Sequence, residues 1–194
     1  MRRICVFCGS KSGVRPAYAD AARSLGSAIA QRGLELIYGG GSLGLMGQLA
    51  DAALAAGGRV TGVLPRGLFS REVPHRGLSE LIEVASMHER KSVMADLSDA
   101  FVALPGGFGT CDELFEIVTW AQIGIHTKPI ALMDVDGYFA PLAAFAAQAE
   151  HEGFIAAAHT RLLTRLRGAD EALEFLAAAE RETTAPTGAE LPQR

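Results

Sequence analysis

At 194 residues, close to half of them apolar, the chain can fold as one α/β domain that buries roughly 70% of the surface its unfolded form exposes. A formal net charge of -4 excludes broad electrostatic attraction to nucleic acid or an anionic membrane, so any anionic ligand has to be held locally. No run is long enough to span a bilayer, the apolar stretch after Arg2-Arg3 breaks at Gly9 before it can serve as a signal-peptide core, and three cysteines make no paired framework; a cytosolic protein is expected.

Short apolar runs alternate with longer segments of helical period, which predicts parallel strands joined by crossover helices in a doubly wound sheet covered on both faces. The first strand is expected at 3–8. It holds Cys5 and Cys8, whose three-residue spacing sends them to opposite faces as inert core thiols. A helix follows over 16–31, opened by Pro16 and closed by Gly33, then a strand over 34–38. Next come a helix over 44–56 ended by Gly57, strands at 59–63 and 81–85, a helix over 87–97 and a strand at 100–104. The pattern continues with a helix over 110–124, a strand at 129–133, a helix over 138–149 with Pro141 in its first turn, a further strand at 161–164 and a helix over 169–180. Residues 1–180 thus form the domain, and 181–194, with two prolines and little apolar content, read as a disordered tail.

In such sheets ligands gather outside the carboxyl ends of the strands. Three of those ends are glycine-rich: Cys8-Gly9-Ser10, Gly39 through Gly47, and Pro105-Gly106-Gly107-Phe108-Gly109-Thr110. Ser10, Gly40, Gly41, Gly44 and Met46 are candidates for a loop around a phosphate or base, although glycines there also permit tight helix–sheet packing. Gly39-x-Gly41-x-x-Gly44 matches the dinucleotide fingerprint only in form. It follows the second strand, and the third ends in Thr61-Gly62 without the acid that would hold a ribose. The third loop runs straight into a helix, whose unpaired N–H groups and dipole favour an anion. Thr110-x-x-Glu113 also fits a capping box, but that leaves Gly106, Gly107 and Gly109 unexplained; a phosphate loop followed by a catalytic carboxylate accounts for them.

Met87, Arg90, Lys91 and Met94 fall on one helical stripe, and two cations set between methionines mark a face that borders a pocket, or else side chains that snorkel to water. The histidines at 75, 88, 126, 151 and 159 show no metal-ligand spacing, so no metal is expected. Cys111 in a first helical turn has no neighbouring histidine to act as its base.

Together, Pro105-Gly106-Gly107-x-Gly109-Thr110-x-x-Glu113, Arg90-Lys91, Gly39-Gly40-Gly41-x-x-Gly44-Leu45-Met46-Gly47, Thr119 through His126 and Asp134-Val135-Asp136-Gly137-Tyr138 resemble the Lonely guy family. These are cytokinin riboside 5′-monophosphate phosphoribohydrolases, often mislabelled lysine decarboxylases, and the resemblance covers residues 3 to 180. It implies a Rossmann-like fold, a homodimer with active sites near the interface, no cofactor, and hydrolysis of the N-glycosidic bond of AMP or N6-modified relatives to free base and ribose 5-phosphate. It places substrate binding on Glu72, Arg90, Lys91, Gly107, Phe108, Gly109, Thr110, Cys111, Asp112, Glu113 and Thr119, and catalysis on Arg90 and Glu113. The Gly106 amide joins those of the phosphate loop in this reading. Two other readings compete, the first of them sharing the architecture and the second following the decarboxylase label. One is a non-catalytic nucleotide or cofactor module resembling molybdenum-cofactor carriers; the other is a pyridoxal-phosphate decarboxylase, for which Lys11, Lys91 and Lys128 are the only lysines.

Overall fold

The computed structural model describes residues 1–67 and 73–184. Seven strands, β1 (Arg3–Phe7), β2 (Glu35–Tyr38), β3 (Val60–Pro65), β4 (Glu80–Val84), β5 (Ala100–Ala103), β6 (Ile130–Met133) and β7 (Thr164–Leu166), make one sheet in the order β4-β3-β2-β1-β5-β6-β7. Every pairing is parallel, so the chain crosses over a face between neighbours. Helices α1 (Pro16–Gln31), α2 (Gly44–Ala55), α3 (Met87–Leu97), α4 (Phe108–Gln122), α5 (Ala140–His151), α6 (Ala157–Thr160) and α7 (Ala169–Thr184) lie between and after the strands.

Side-chain alternation along each strand divides the core into two layers. Ile4 and Val6 of β1 meet Leu25 and Ile29 of α1, Leu49 of α2 and Leu173 and Leu176 of α7. Cys5 and Phe7 face the other way, toward Met94 of α3, Leu114 and Ile117 of α4 and Phe139 before α5. Cys5 and Cys8 are free, buried and in opposite layers, as the strand geometry predicts. Burial raises the pKa of both thiols well above its ordinary value, which keeps them protonated and unreactive.

From β1 the chain winds outward through β2, β3 and β4, then returns to β5 on the other side of β1. The loops leaving β1 and β5 therefore diverge and open a crevice between them. At its root they are tied together: Leu104 N–H donates to the Phe7 carbonyl at 2.9 Å and Gly9 N–H to the Pro105 carbonyl at 3.1 Å.

Three boundaries differ from expectation. The last strand lies at Thr164–Leu166 because 161–163 are spent on turns, with Leu162 N–H bonded to His159 and Leu163 N–H to Thr160. Helix α4 starts at Phe108, with Gly107 in extended conformation as its cap residue and no side-chain cap. Thr110 therefore sits inside the first turn and no Thr110–Glu113 capping box forms. Helix α7 continues to Thr184, so residues 181–184 are helical; 185–194 lie outside the described residues.

Candidate active site

The crevice widens into a cavity of about 480 Å³. Its floor and one wall come from the β1 loop (Cys8 through Gly13), the opposite wall from Pro105 through Thr110 with Glu113, and the rest from Tyr18, Leu45, Met46, Met87, Arg90 and Tyr138. This volume is within the range that holds a nucleotide-sized ligand.

The anion-binding part is the start of α4. The first N–H of an α-helix to find an intrahelical carbonyl comes four residues in, and here it is Cys111, bonded to Gly107 at 3.1 Å. Among the described residues, the Gly107, Phe108 and Gly109 N–H groups have no protein acceptor. A side chain built on Gly107 or Gly109 would meet nothing within 4 Å, so these glycines are not required by packing; they leave backbone bare where it borders the cavity. The start of α2 behaves oppositely. Leu45 N–H is taken by the Gly9 carbonyl at 3.0 Å, and a Cβ on Gly44 would lie 2.3 Å from the backbone of Ser10. Gly40 and Gly41 are tied to the segment after β3, the Gly40 carbonyl accepting from His75 N–H at 2.9 Å and Gly41 bridging Pro74. Of the second glycine loop and its partner, Ser10 and Met46 line the cavity, whereas Gly40, Gly41 and Gly44 are not among its lining residues.

Arg90 is held by the scaffold. Ser86 starts α3 by accepting Glu89 N–H at 3.1 Å, and the Glu89 carboxylate accepts Ala85 N–H at 2.6 Å, a cap of about 1 kcal/mol that fixes the helix phase. One turn on, Arg90 is only 3% exposed, its Nε donating to the Val63 carbonyl at 3.0 Å and its Nη2 to the Gly39 carbonyl at 2.7 Å. Removing a guanidinium from water costs several kcal/mol, which two charge-assisted bonds of about 1.5–3 kcal/mol each offset. The result is a fixed positive charge in the cavity wall.

Glu113 follows Thr110 by three residues on α4, hence on the same face, and it is half-buried. Cys8 lines the same cavity and feels both charges: besides burial, Glu113 pushes its thiol pKa up and Arg90 opposes it. A carboxylate, a buried guanidinium and a row of unpaired amides thus share one cavity.

Other predicted residues go elsewhere. Lys91, one position and about 100° round the helix from Arg90, turns away from the cavity to Asp112 and Glu116, at 3.1 Å from each. Burial works against its charge, but the two carboxylates outweigh this and hold its pKa above the ordinary lysine value. This bridge clamps α3 to α4 and so fixes Arg90 relative to Glu113. Asp112 finds its partner there, and half-buried Cys111 also lies off the cavity. Thr119 is exposed and donates to the Phe115 carbonyl at 2.6 Å. Glu72 lies outside the described residues. Sequence reasoning missed Lys11, Ser12, Tyr18 and Tyr138; their signal is position, at or just after the ends of β1 and β6 flanking the crevice.

A family model described as "Possible lysine decarboxylase" matches residues 46–176. The chain is 54% identical over 161 residues to a probable cytokinin riboside 5′-monophosphate phosphoribohydrolase of Oryza sativa subsp. japonica, covering 83% of this chain and 71% of that protein. It is 47% identical over 181 residues to a cytokinin riboside 5′-monophosphate phosphoribohydrolase of Arabidopsis thaliana, covering 93% and 83%. Among solved structures, the molybdenum cofactor carrier protein of Chlamydomonas reinhardtii superposes with a TM-score of 0.70 at 23% identity, over 92% of this chain and 97% of that one. The molybdenum cofactor binding protein of Rippkaea orientalis gives 0.68 at 20%, over 91% and 96%. At those identities the structures attest the fold alone.

Proposed function

Since the chain belongs to the family of cytokinin riboside 5′-monophosphate phosphoribohydrolases, we propose that it hydrolyses the N-glycosidic bond of AMP and N6-modified adenosine 5′-monophosphates. The observation that carries this reading is the row of unpaired amides at Gly107, Phe108 and Gly109 one helical turn from Glu113. A 5′-phosphate held by those amides and the α4 dipole brings the ribose against the carboxylate.

Cleavage passes through an oxocarbenium-like sugar, whose positive charge an ionised Glu113 stabilises. Glu113 also takes a proton from the attacking water, whose oxygen bonds to C1′ as the bond from C1′ to the purine nitrogen breaks. The proton ends on the departing base. Arg90, fixed by two carbonyls, stands on the leaving side and favours the electron pair that collects there. The products are the free base and ribose 5-phosphate.

Incubation with AMP is expected to release free adenine, with kcat/KM for adenosine at least about tenfold lower because the phosphate anchor is missing. Equal turnover of the two would refute the anchor, and intact AMP would leave the carrier-like alternative standing. The decarboxylase description fits Lys91 and Lys128 poorly. Lys91 is bound by two carboxylates that stabilise its charged form, whereas a Schiff-base lysine needs the neutral amine, and Lys128 donates to the Ala95 carbonyl at 2.7 Å.

The enzyme is further read as a cytosolic homodimer joined through α4. Phe108, Asp112, Phe115, Thr119 and Ile123 share one outward stripe, and Phe108 is 97% and Ile123 64% exposed. Next to that stripe, Glu116 Oε2 is buried without a hydrogen-bond partner. A partner's α4 would cover the stripe and bring each Thr119 toward the neighbouring cavity. No described helix is long and apolar enough to cross a membrane. Light scattering should return twice the chain mass; a single-chain mass at micromolar concentration would remove this interface.

A further inference from the structure

Resting on the phosphate-anchoring reading above, we propose that Tyr138 is a positioning residue whose hydroxyl sets the orientation of the phosphate-binding amides. Its hydroxyl donates to the Gly106 carbonyl, a contact between the loop after β6 and the loop after β5. The peptide joining Gly106 to Gly107 is planar and trans, so fixing its carbonyl also fixes the opposite-pointing Gly107 N–H. Gly107 is the cap residue of α4, and its N–H is the first of the amides without a protein acceptor. Two adjacent glycines leave that peptide unusually free to rotate; the Tyr138 bond removes the freedom before a ligand arrives.

The turn that delivers Tyr138 is itself specialised. Asp136, with φ of 52°, is the only non-glycine residue in the left-handed region among those described, and Gly137 follows at φ of 75°. Such a conformation persists only where the surroundings hold it. Here Asp134 accepts Phe139 N–H at 2.8 Å on one oxygen and Arg165 Nη2 at 2.7 Å on the other, while Arg15 reaches Asp136 at 3.6 Å. The ring of Tyr138 meets Tyr18 and Phe139 edge-on at 5.7 and 5.2 Å. Phenylalanine would satisfy those ring contacts, so packing does not account for the hydroxyl.

The test is Tyr138→Phe, compared with the wild type for ribose 5-phosphate binding by calorimetry and for steady-state hydrolysis of AMP and adenosine. The expected result is ribose 5-phosphate binding weakened about fivefold and KM for AMP raised by a similar factor, the scale of one hydrogen bond. The kcat should stay within about twofold, and the residual rate with adenosine should not change. A merely structural role would lower the melting temperature without narrowing the preference for the phosphorylated substrate. Unchanged ribose 5-phosphate affinity, or equal losses with AMP and adenosine, overturns the proposal. A wild-type protein that neither binds ribose 5-phosphate nor cleaves AMP brings down the phosphoribohydrolase reading as well; an active wild type with an unaltered variant brings down the Tyr138 role alone.

Discussion

Glu113→Gln is expected to cut turnover of AMP by about a hundredfold or more while ribose 5-phosphate still binds, the scale of losing a general acid–base group. The substitution keeps the shape and removes the charge. Glu113 sits on α4 beyond the amides that take the phosphate, so those donors stay in place. What disappears is the negative charge facing the developing oxocarbenium and the acceptor for the water's proton. The ground state has neither the sugar cation nor the proton in transfer, so the loss falls on kcat and not on binding. Single-turnover hydrolysis together with ribose 5-phosphate titration checks both halves. A variant as fast as the wild type would take Glu113 out of the mechanism.

Gly39→Ala should be nearly as damaging, although residue 39 contributes no side-chain chemistry. A Cβ there would lie 2.0 Å from Arg90 Nη2 and 3.0 Å from Cζ, distances that force a shift. The guanidinium is held by the Gly39 carbonyl at 2.7 Å and the Val63 carbonyl at 3.0 Å, so it has to give up at least one of these bonds to move. A displacement of about 1 Å in a catalytic group costs about a hundredfold in rate, and overpacking costs a further 1–3 kcal/mol of stability. The expected outcome is a folded protein with a lowered melting temperature and kcat reduced about a hundredfold. Wild-type kinetics in this variant would show that the Arg90 anchorage has no part in the chemistry.

The parallel sheet was legible because the apolar period changes at each crossover, and β1 through β6 fall within one or two residues of expectation. The last strand was displaced because Leu162 and Leu163 look like strand residues but are used in turns. The start of α4 was misjudged for a related reason: Thr110 is a good cap by type, yet the helix begins at Phe108 with a glycine cap, which leaves the amides before Thr110 bare toward the cavity. Arg90 stood out because a cation interrupts an apolar stripe. Lys91 carries the same signal, and only the position of Asp112 and Glu116 on a different helix decides that it turns away. Glycines at the end of β2 announced close approach without saying to what; Gly39 answers to Arg90, Gly44 to the β1 loop. Tyr18 was silent because an aromatic residue among alanines reads as ordinary core, and Tyr138 entered only as the last residue of a family motif, with no role attached.

Arg90 hangs on the Gly39 carbonyl just after β2 and the Val63 carbonyl within β3, whereas Glu113 is carried by the helix after β5. The two therefore belong to opposite wings of the sheet, with β1 between them. A partly assembled chain, in which one wing has docked on β1 and the other has not, holds only half of the reactive pair and turns over nothing. Activity therefore reports that both wings are docked on β1.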